Sequence, residues 1–331
     1  MDIIIDKRIE LMAVIQTIDN FWDNLWLKLF NKKLYQCKYK ENVFDYFGKY
    51  KNHEIIKLWN KLSKTVQDVS VFIKLPLCYS NPPELNNIAS IENNINLLTK
   101  VNFPYEEFIG GIKQFYEESK FEIFFEKNKN EYGKILNDYM EKKDVIKYFN
   151  SINNYLDTSI KNYNVIISSL LTDCYGFKIL TNDNKTQNYS VICAYDYIEN
   201  KYIFGSEYSA LEVLWHEISH LTIDDLNKKY LNQVDLKNNK KISDELVKYY
   251  YTNAKIVLNE YIVIAITIRQ FEINNQKTYA DSLIQYHVKR GFTEIESVKN
   301  YISKYCEYEE VLLKDKNYIK LMEYVISKIY E

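Results

Sequence analysis

The stretch that decides the fold is ALEVLWHEISHLTIDDL, residues 210–226. Ser209 directly before it forms with Glu212 the Ser-x-x-Glu pattern that starts helices, so we predict a helix here. His216 and His220 are four residues apart and therefore lie on one face of that helix, one turn from each other. Two imidazoles at this spacing can bind a single Zn²⁺ at ~2.0–2.1 Å.

Glu217 follows the first histidine and is turned about 100° from it around the helix axis, which directs its carboxylate over the open side of such a metal. We expect it to act there as the general base that takes a proton from zinc-bound water and passes it to a leaving amine. The alternative is a chance match, since short motifs recur in unrelated proteins. The apolar flanks Leu214, Trp215 and Ile218 favour a packed helix that presents the histidines.

A catalytic zinc needs a third protein ligand, and Glu260 is the best candidate. It lies within KIVLNEYIVIAITIRQ, residues 255–270. Its neighbours one turn away in both directions are apolar, namely Ile256, Val257, Val263 and Ile264. A carboxylate on such a buried face is costly unless it binds a metal or pairs with a cation. A buried ion pair with a lysine or arginine is therefore the alternative to a site with one zinc ion per chain.

Other polar residues are candidates for supporting roles. Asp224, one turn after the second histidine, is expected to brace an imidazole, and a solvated helix end is the alternative. His287 is predicted to donate to the oxyanion of a tetrahedral intermediate, unless it is an exposed or capping histidine. Tyr261 and Tyr286 are further candidates for that donor, among 31 tyrosines. His53 is interpreted as structural or exposed.

The whole chain predicts an α+β fold that is predominantly helical, because 331 residues contain only seven glycines and four prolines. Short β-rich runs between 175 and 206 predict a small mixed or antiparallel sheet before the histidine helix. A strand is also predicted over 69–80. We predict two subdomains, a mainly helical one with one or two strands over 1–165 and a catalytic one over 166–331, with one continuous domain as the alternative. Helices are predicted over 42–67, 209–230, 244–273, 279–290 and 294–330, and several over 84–173 with breaks near Pro104 and Gly110–Gly111.

The composition limits the class of protein. The net charge of −2 argues against broad electrostatic binding of nucleic acid or an anionic membrane, and the longest apolar run, 262–268, is too short to span a bilayer. Five scattered cysteines without a CxxC pair argue against a disulfide framework and favour a reducing compartment. The start MDIIIDKRIELMAVI does not look like a signal peptide, so a cytoplasmic location is predicted, with secretion open if a leader has been removed.

The motif HEISHLTID, followed by Asn259-Glu260 on a later helix, resembles the glutamate-zincins, the thermolysin-like metallopeptidases. The resemblance implies a zincin-like fold, zinc held by His216, His220 and Glu260, and Glu217 as the general base. It also implies that an edge strand of the small sheet, VICAYD or YIFGS, binds an extended peptide. In its whole-chain layout the sequence resembles a bacterial family of zincin-like proteins, domain of unknown function 4932. The segments that carry this likeness are DKRIEL, DYFGKYKNHEIIKLW, YIFGS and VKRGF.

These features predict a zinc-dependent metallohydrolase, a peptidase that acts on a peptide or protein substrate. Position 226, six residues after His220, is a leucine, which excludes the class with three histidines. Two other classes stay open. One is a non-catalytic protein-binding module with a structural or vestigial zinc, and the other is a zinc hydrolase of non-peptide amides or esters.

Overall fold

A computed structural model of the chain describes residues 2–31, 33–66, 69–95, 103–141, 145–156, 162–234, 242–248, 251, 253–307 and 315–330. The chain packs into two compact units. The first comprises 1–143 and 161–207, and the second comprises 144–160 and 208–331. That 1–165 and 166–331 form two subdomains stays a prediction.

The first unit begins with a short strand, β1 (Asp2–Ile4), and continues as helices. Asp6 starts the first of them, because its carboxylate accepts hydrogen bonds from the backbone N–H groups of Arg8 and Ile9 at 2.9 and 3.4 Å. The helices are α1 (Lys7–Ile18), α2 (Phe21–Phe30), α3 (Lys38–Phe47), α4 (Glu54–Ser63), α5 (Val71–Leu77), α6 (Ile91–Asn94), α7 (Tyr105–Glu118), α8 (Phe121–Lys127) and α9 (Lys129–Met140). The next helix, α10 (Val145–Tyr155), belongs to the second unit.

A small mixed sheet completes the first unit, and its strands precede the histidine helix in the chain. The strands are β2 (Tyr163–Ser168), β3 (Tyr175–Leu180), β4 (Thr186–Cys193), β5 (Asp196–Ile198) and β6 (Lys201–Ile203). Three of them join β1 in a sheet with the order β1-β2-β4-β3, with parallel β1/β2 and β2/β4 pairs and an antiparallel β3/β4 pair. The central strands β2 and β4 are largely buried, as expected for strands paired on both sides. Strands β5 and β6 form a separate antiparallel pair.

The second unit is helical and is organised around one long apolar helix. Its helices are α10, α11 (Glu207–Tyr230), α12 (Asp244–Lys248), α13 (Ala254–Ile273), α14 (Lys277–Lys289), α15 (Ile295–Tyr301) and α16 (Asp315–Tyr330), with a 3₁₀ turn at Leu231–Gln233 and a π turn at Ile302–Glu307. Helix α13 packs against α14, α15 and α16. Trp215 of α11 meets Phe271 of α13 with ring centroids 4.7 Å apart. The predicted α+β class, mainly helical with a small mixed sheet, is confirmed.

The prediction of a strand over 69–80 is wrong, because Val71–Leu77 forms helix α5. Its apolar side chains are buried almost throughout, and a short apolar run of this kind fits a buried helix as well as a buried strand. Pro76 lies inside this helix, where it removes one backbone N–H donor, and the helix ends at the next residue. The choice between the two structures therefore depended on what surrounds the segment.

Two of the predicted helices also differ from the structure. Helix α7 continues through Gly110 and Gly111, and a Cβ at Gly111 would lie 3.0 Å from the Cδ1 atom of Ile55, so this glycine allows close packing against α4. The helix predicted over 244–273 is two helices, α12 and α13, and Asn253 caps the second by accepting from the backbone N–H of Ile256 at 3.0 Å. The parts of the helices predicted over 84–173 and 294–330 that fall on 96–102, 142–144, 157–161 and 308–314 lie outside the described residues.

The predicted helix start at Ser209 is two residues late, because α11 begins at Glu207. The hydroxyl group of Tyr279 on α14 lies 2.9 Å from Glu212 Oε2 and 3.3 Å from Ser209 Oγ. The Ser-x-x-Glu pattern therefore marks a packing contact between α11 and α14 instead of a cap.

The structure also bears on the predictions of an edge strand, of no membrane span and of no disulfide framework. The first half of VICAYD, Val191–Cys193, is the end of β4 and pairs with β2 throughout and with β3 up to Val191. Since β4 is a central strand of the four-stranded sheet, the prediction that VICAYD is an edge strand of this sheet is wrong. Within the described part of the chain, no helix has the length and apolar character needed to cross a membrane. The four cysteines whose side chains are described, Cys37, Cys78, Cys174 and Cys193, are free thiols.

Candidate metal centre

Helix α11 presents its two histidines together, because positions four apart share one helix face. The Nε2 atoms of His216 and His220 are 3.1 Å apart, and the ring centroids are 4.8 Å apart. Glu212 and Asp224 extend the same stripe by one turn in each direction. The other side of the helix, including Trp215, is buried in apolar surroundings. Packing of this apolar side thus fixes the rotation of α11 about its axis, so that Glu212, His216, His220 and Asp224, the histidine stripe, all lie on its opposite side.

Glu260 of α13 reaches this place from a different helix. Its carboxylate lies 3.3 Å from His220 Nε2 through Oε1 and 3.7 Å from His216 Nε2 through Oε2. The three side chains retain 23%, 15% and 13% exposure for His216, His220 and Glu260, respectively. The carboxylate therefore meets both imidazoles while the group stays accessible to solvent.

The three side chains can hold a metal ion. One ligand atom from each of His216, His220 and Glu260 lies within 4.8 Å of the other two. Two ligands that are each ~2.0–2.1 Å from a tetrahedral zinc are ~3.3 Å apart, close to the observed separations of 3.1, 3.3 and 3.7 Å. Two imidazoles and one carboxylate are also the donors that zinc accepts. The donor set and its spacing fit the predicted ion.

The imidazole of His220 is oriented by polar groups behind it. Its Nδ1 atom lies 3.2 Å from Asp224 Oδ1, and the Asn259 amide nitrogen donates to the same oxygen at 2.9 Å. A carboxylate can only accept, so Nδ1 donates in this contact, and Nε2 is the ring nitrogen that faces His216 and Glu260. Asp224 is 55% exposed but is not simply a solvated helix end. Its carboxylate is placed to orient the histidine, on the far side of the ring from Nε2.

The electrostatics of the group favour an ionised carboxylate. Burial raises the pKa of Glu260, but the hydrogen bond and charge of His220, with His216 and Arg290, outweigh this and lower the pKa to about 2. Burial also lowers the pKa of His216 to about 4. His216 and Glu260 are therefore in the forms that bind metals at neutral pH, with a free imidazole nitrogen and a negative charge. Burial lowers the pKa of His220, but the hydrogen bonds and charges of Asp224 and Glu260 outweigh this and raise its pKa well above the usual range, so a metal ion must displace a proton from this ring.

His287 belongs to the same electrostatic environment. It lies on α14 and is 6% exposed, so it is not an exposed histidine. Burial, together with the charges of Arg290 and His216, lowers its pKa to about 3. Among the described residues, its Nδ1 atom has no hydrogen-bond partner. The structure thus provides a neutral, buried imidazole whose pKa depends on the charges of His216 and Glu260.

Arg290 was not singled out from the sequence, although it follows His287 by three residues, directly after the last residue of α14. Its Nη2 atom donates to the Tyr251 hydroxyl at 2.9 Å. Its guanidinium carbon is 5.8 and 5.4 Å from the ring centroids of Tyr251 and Tyr286. Two aromatic rings therefore hold a positive charge that lowers the pKa values of His216, Glu260 and His287.

The remaining candidates have other contacts. Tyr261 is 2% exposed, and its hydroxyl accepts from the backbone N–H of Glu294 at 3.5 Å, so it supports the connection between α14 and α15. His53, in the first unit, caps α4 by accepting from the backbone N–H of Ile55 at 3.2 Å. Tyr286 is 52% exposed beside Arg290.

Comparison with protein families assigns the chain to one of them. The family described as Domain of unknown function (DUF4932) matches residues 1–325. The chain belongs to this family. No curated protein and no solved structure is significantly similar to the chain. The match confirms the family that was predicted from the layout of the sequence.

Proposed function

We propose that this DUF4932 protein is a zinc-dependent hydrolase of the zincin type that cleaves peptide bonds in a peptide or protein substrate. The observation that carries the proposal is the convergence of His216, His220 and Glu260, with Glu217 next to the first histidine on the same helix. Zinc bound by this group supplies a Lewis acid that polarises a substrate carbonyl and makes an attacking water more acidic.

Glu217 is the residue that moves the proton. It is 7% exposed and stands one position after His216, so its carboxylate projects beside the stripe of ligands and not along it. A carboxylate there takes a proton from the attacking water and delivers it to the nitrogen of the leaving amine. The first transfer makes the nucleophile, and the second prevents expulsion of an unstable amide anion.

His287 is proposed to stabilise the oxyanion that forms when the carbonyl is attacked. Its low pKa keeps the imidazole neutral at pH 7, so one ring nitrogen carries a hydrogen that can be donated and the other does not. A donor in place before the reaction needs no reorganisation as negative charge develops. The charge of Arg290 adds to this effect, because it makes the surroundings of His287 more favourable for an anion.

The alternative of a structural zinc has less support. Structural zinc sites use four protein ligands, whereas catalytic sites use three and keep one position open. Among the described residues, the candidate group contains three donors. Asp224 was the candidate for a fourth donor, but its Oδ1 atom contacts His220 Nδ1, the ring nitrogen that faces away from the group.

The metal content of the purified protein tests the proposal first. We expect one equivalent of zinc in the wild type, and little or none in His216→Ala and Glu260→Ala. His53→Ala is the matched control and should retain zinc, because His53 caps a helix in the first unit. A wild type without zinc, or zinc retained in Glu260→Ala, would refute the ligand assignment. A zinc-loaded protein should then be screened with peptide, ester and non-peptide amide libraries, and activity on the latter two alone would refute the peptidase proposal.

A further inference from the structure

A row of polar side chains connects His220 to the C-terminal helix α16. The Tyr318 hydroxyl donates to Asn227 Oδ1 at 2.6 Å, and Asn227 Nδ2 donates to Asn259 Oδ1 at 2.8 Å. Asn259 Nδ2 in turn donates to Asp224 Oδ1 at 2.9 Å, and that oxygen contacts His220 Nδ1 at 3.2 Å. Three helices, α11, α13 and α16, contribute to this row.

The direction of donation along the row is set by its ends. The Asp224 carboxylate can only accept, so Asn259 must turn its NH₂ group towards it and its oxygen towards Asn227. Asn227 must then present its own NH₂ group to Asn259, and its oxygen faces Tyr318. A hydroxyl is needed at that last position, because only a donor satisfies the Asn227 oxygen. Each amide thus has one favourable orientation.

Burial makes this orientation costly to change. Tyr318 is fully buried and Asn227 is 9% exposed, and buried polar groups lose free energy when they have no partner. Without the hydroxyl, the Asn227 amide can turn over to satisfy its oxygen elsewhere. A reversed Asn227 would face the oxygen of Asn259 with its own oxygen, which favours reversal of Asn259 and places a second oxygen against Asp224.

The consequence reaches the metal-binding nitrogen. Asp224 is 55% exposed, and an exposed carboxylate on its own is held weakly. The Asn259 amide fixes it in the position where it accepts from His220 Nδ1. With Nδ1 held as the donor to Asp224, Nε2 is the ring nitrogen directed towards His216 and Glu260, where a metal ion would bind.

We propose that Tyr318 and Asn227 are positioning residues for the metal centre, and that they act through Asn259 and Asp224 to hold His220 in its metal-binding tautomer and orientation. The inference rests on the proposed zinc site. It makes the docked C-terminal helix α16, nearly 100 residues after the motif, part of the metal-binding machinery. Removal of one hydroxyl group on α16 should then weaken metal binding without removal of any ligand.

The test compares Tyr318→Phe with Tyr324→Phe in the full-length protein. Tyr324 lies on the same helix and stacks on Tyr301 with ring centroids 4.2 Å apart, a contact that phenylalanine preserves. Zn²⁺ affinity is measured by competition with a chelator, and the visible absorption of the Co²⁺-substituted protein reports the geometry of the ligands. We expect Tyr318→Phe to weaken Zn²⁺ binding about tenfold or more and to change the Co²⁺ spectrum. Tyr324→Phe should leave both as in the wild type.

A second variant and a folding control complete the test. Asn227→Ala interrupts the row at a different helix and should weaken Zn²⁺ binding in the same way, with circular dichroism verifying that each variant is folded at the assay temperature. Equal effects of Tyr318→Phe and Tyr324→Phe, or no effect of Tyr318→Phe, would overturn the positioning role while the metal centre stands. A wild type that binds no Zn²⁺ would instead refute the proposed function, and the positioning role with it.

Discussion

Single residues determine the proposed chemistry, and Glu217 is the most direct example. Its side chain is buried beside the histidine stripe, but it is not one of the three donors that come together. A residue that transfers protons can be replaced by a neutral side chain without loss of the metal, whereas replacement of a ligand weakens metal binding. Zinc content and turnover should therefore respond differently to substitutions at adjacent positions of α11.

The first prediction follows for Glu217→Gln, which keeps the shape of the side chain and removes its basic oxygen. We expect kcat to fall by about 10²–10⁴-fold, the usual contribution of a positioned general base, with one equivalent of zinc retained. Rates on a cleaved peptide and metal analysis of the same preparation check this. Undiminished turnover with zinc in place would show that another group moves the proton.

The second prediction concerns His287→Ala. Loss of an oxyanion donor costs about 10²–10³-fold in kcat in other hydrolases, and we expect a decrease of that order here with zinc content unchanged. His53→Ala is the matched control, because it removes the helix-capping histidine of the first unit and should leave kcat unaffected. If kcat falls equally in both variants, the decrease in His287→Ala comes from a general loss of stability and not from loss of an oxyanion donor.

At the level of elements, the turn after α14 determines where His287 and Arg290 lie. The backbone N–H groups of Arg290 and Phe292 both donate to the His287 carbonyl at 3.0 Å. Gly291 between them has a φ of +100°, a conformation that residues with a side chain rarely adopt. A Cβ there would also lie 3.0 Å from Leu246 Cγ and 3.1 Å from Glu245 Cβ on α12. Backbone conformation and close packing both require glycine at this turn.

The third prediction is that Gly291→Ala lowers the free energy of unfolding by about 1–3 kcal/mol, from backbone strain together with the contact to α12. Gly133→Ala is the matched control. Gly133 lies within helix α9, where an added Cβ meets nothing within 4 Å, so alanine should stabilise by up to about 1 kcal/mol. Urea unfolding of both variants measures the two effects, and a neutral Gly291→Ala would contradict the account of the turn.

On the scale of the whole molecule, stability should depend on pH through a buried carboxyl group in the first unit. Glu10 of α1 is 2% exposed, and burial raises its pKa from 4.5 to about 7 although the Tyr39 hydroxyl donates a hydrogen bond to it. The folded protein therefore keeps a proton that the unfolded chain releases at lower pH. The contribution of this group is complete below pH 4.5 and is lost as pH rises through 7.

The fourth prediction compares the wild type with Glu10→Gln, a neutral side chain of the same shape. Relative to this variant, the wild type should lose unfolding free energy between about pH 4.5 and 7, by about 3 kcal/mol in total for a shift of this size. Urea or thermal unfolding across that range provides the measurement. If the difference in unfolding free energy between the two proteins does not change with pH, folding does not shift the pKa of Glu10.

What the sequence alone determined is local. The spacing of His216, Glu217 and His220 specifies their angular positions once the segment is helical, and the apolar neighbours of Glu260 indicate a carboxylate on a buried face. These inferences need only the period of the α-helix. The α+β class, the small sheet before the histidine helix and the membership of DUF4932 could be predicted for the same reason, since they depend on patterns along the chain.

Only the tertiary structure decided which distant residues meet. The Tyr318–Asn227 hydrogen bond joins positions 91 residues apart, and one tyrosine among 31 carries no local signal of such a partner. The helix at Val71–Leu77 and the contact of Glu212 with Tyr279 were likewise missed, because their surroundings come from other elements. Helical periodicity states which face a side chain occupies. The group that lies opposite that face is determined by the packing of the whole unit, in which buried polar atoms must find partners and apolar side chains must fill the space between helices.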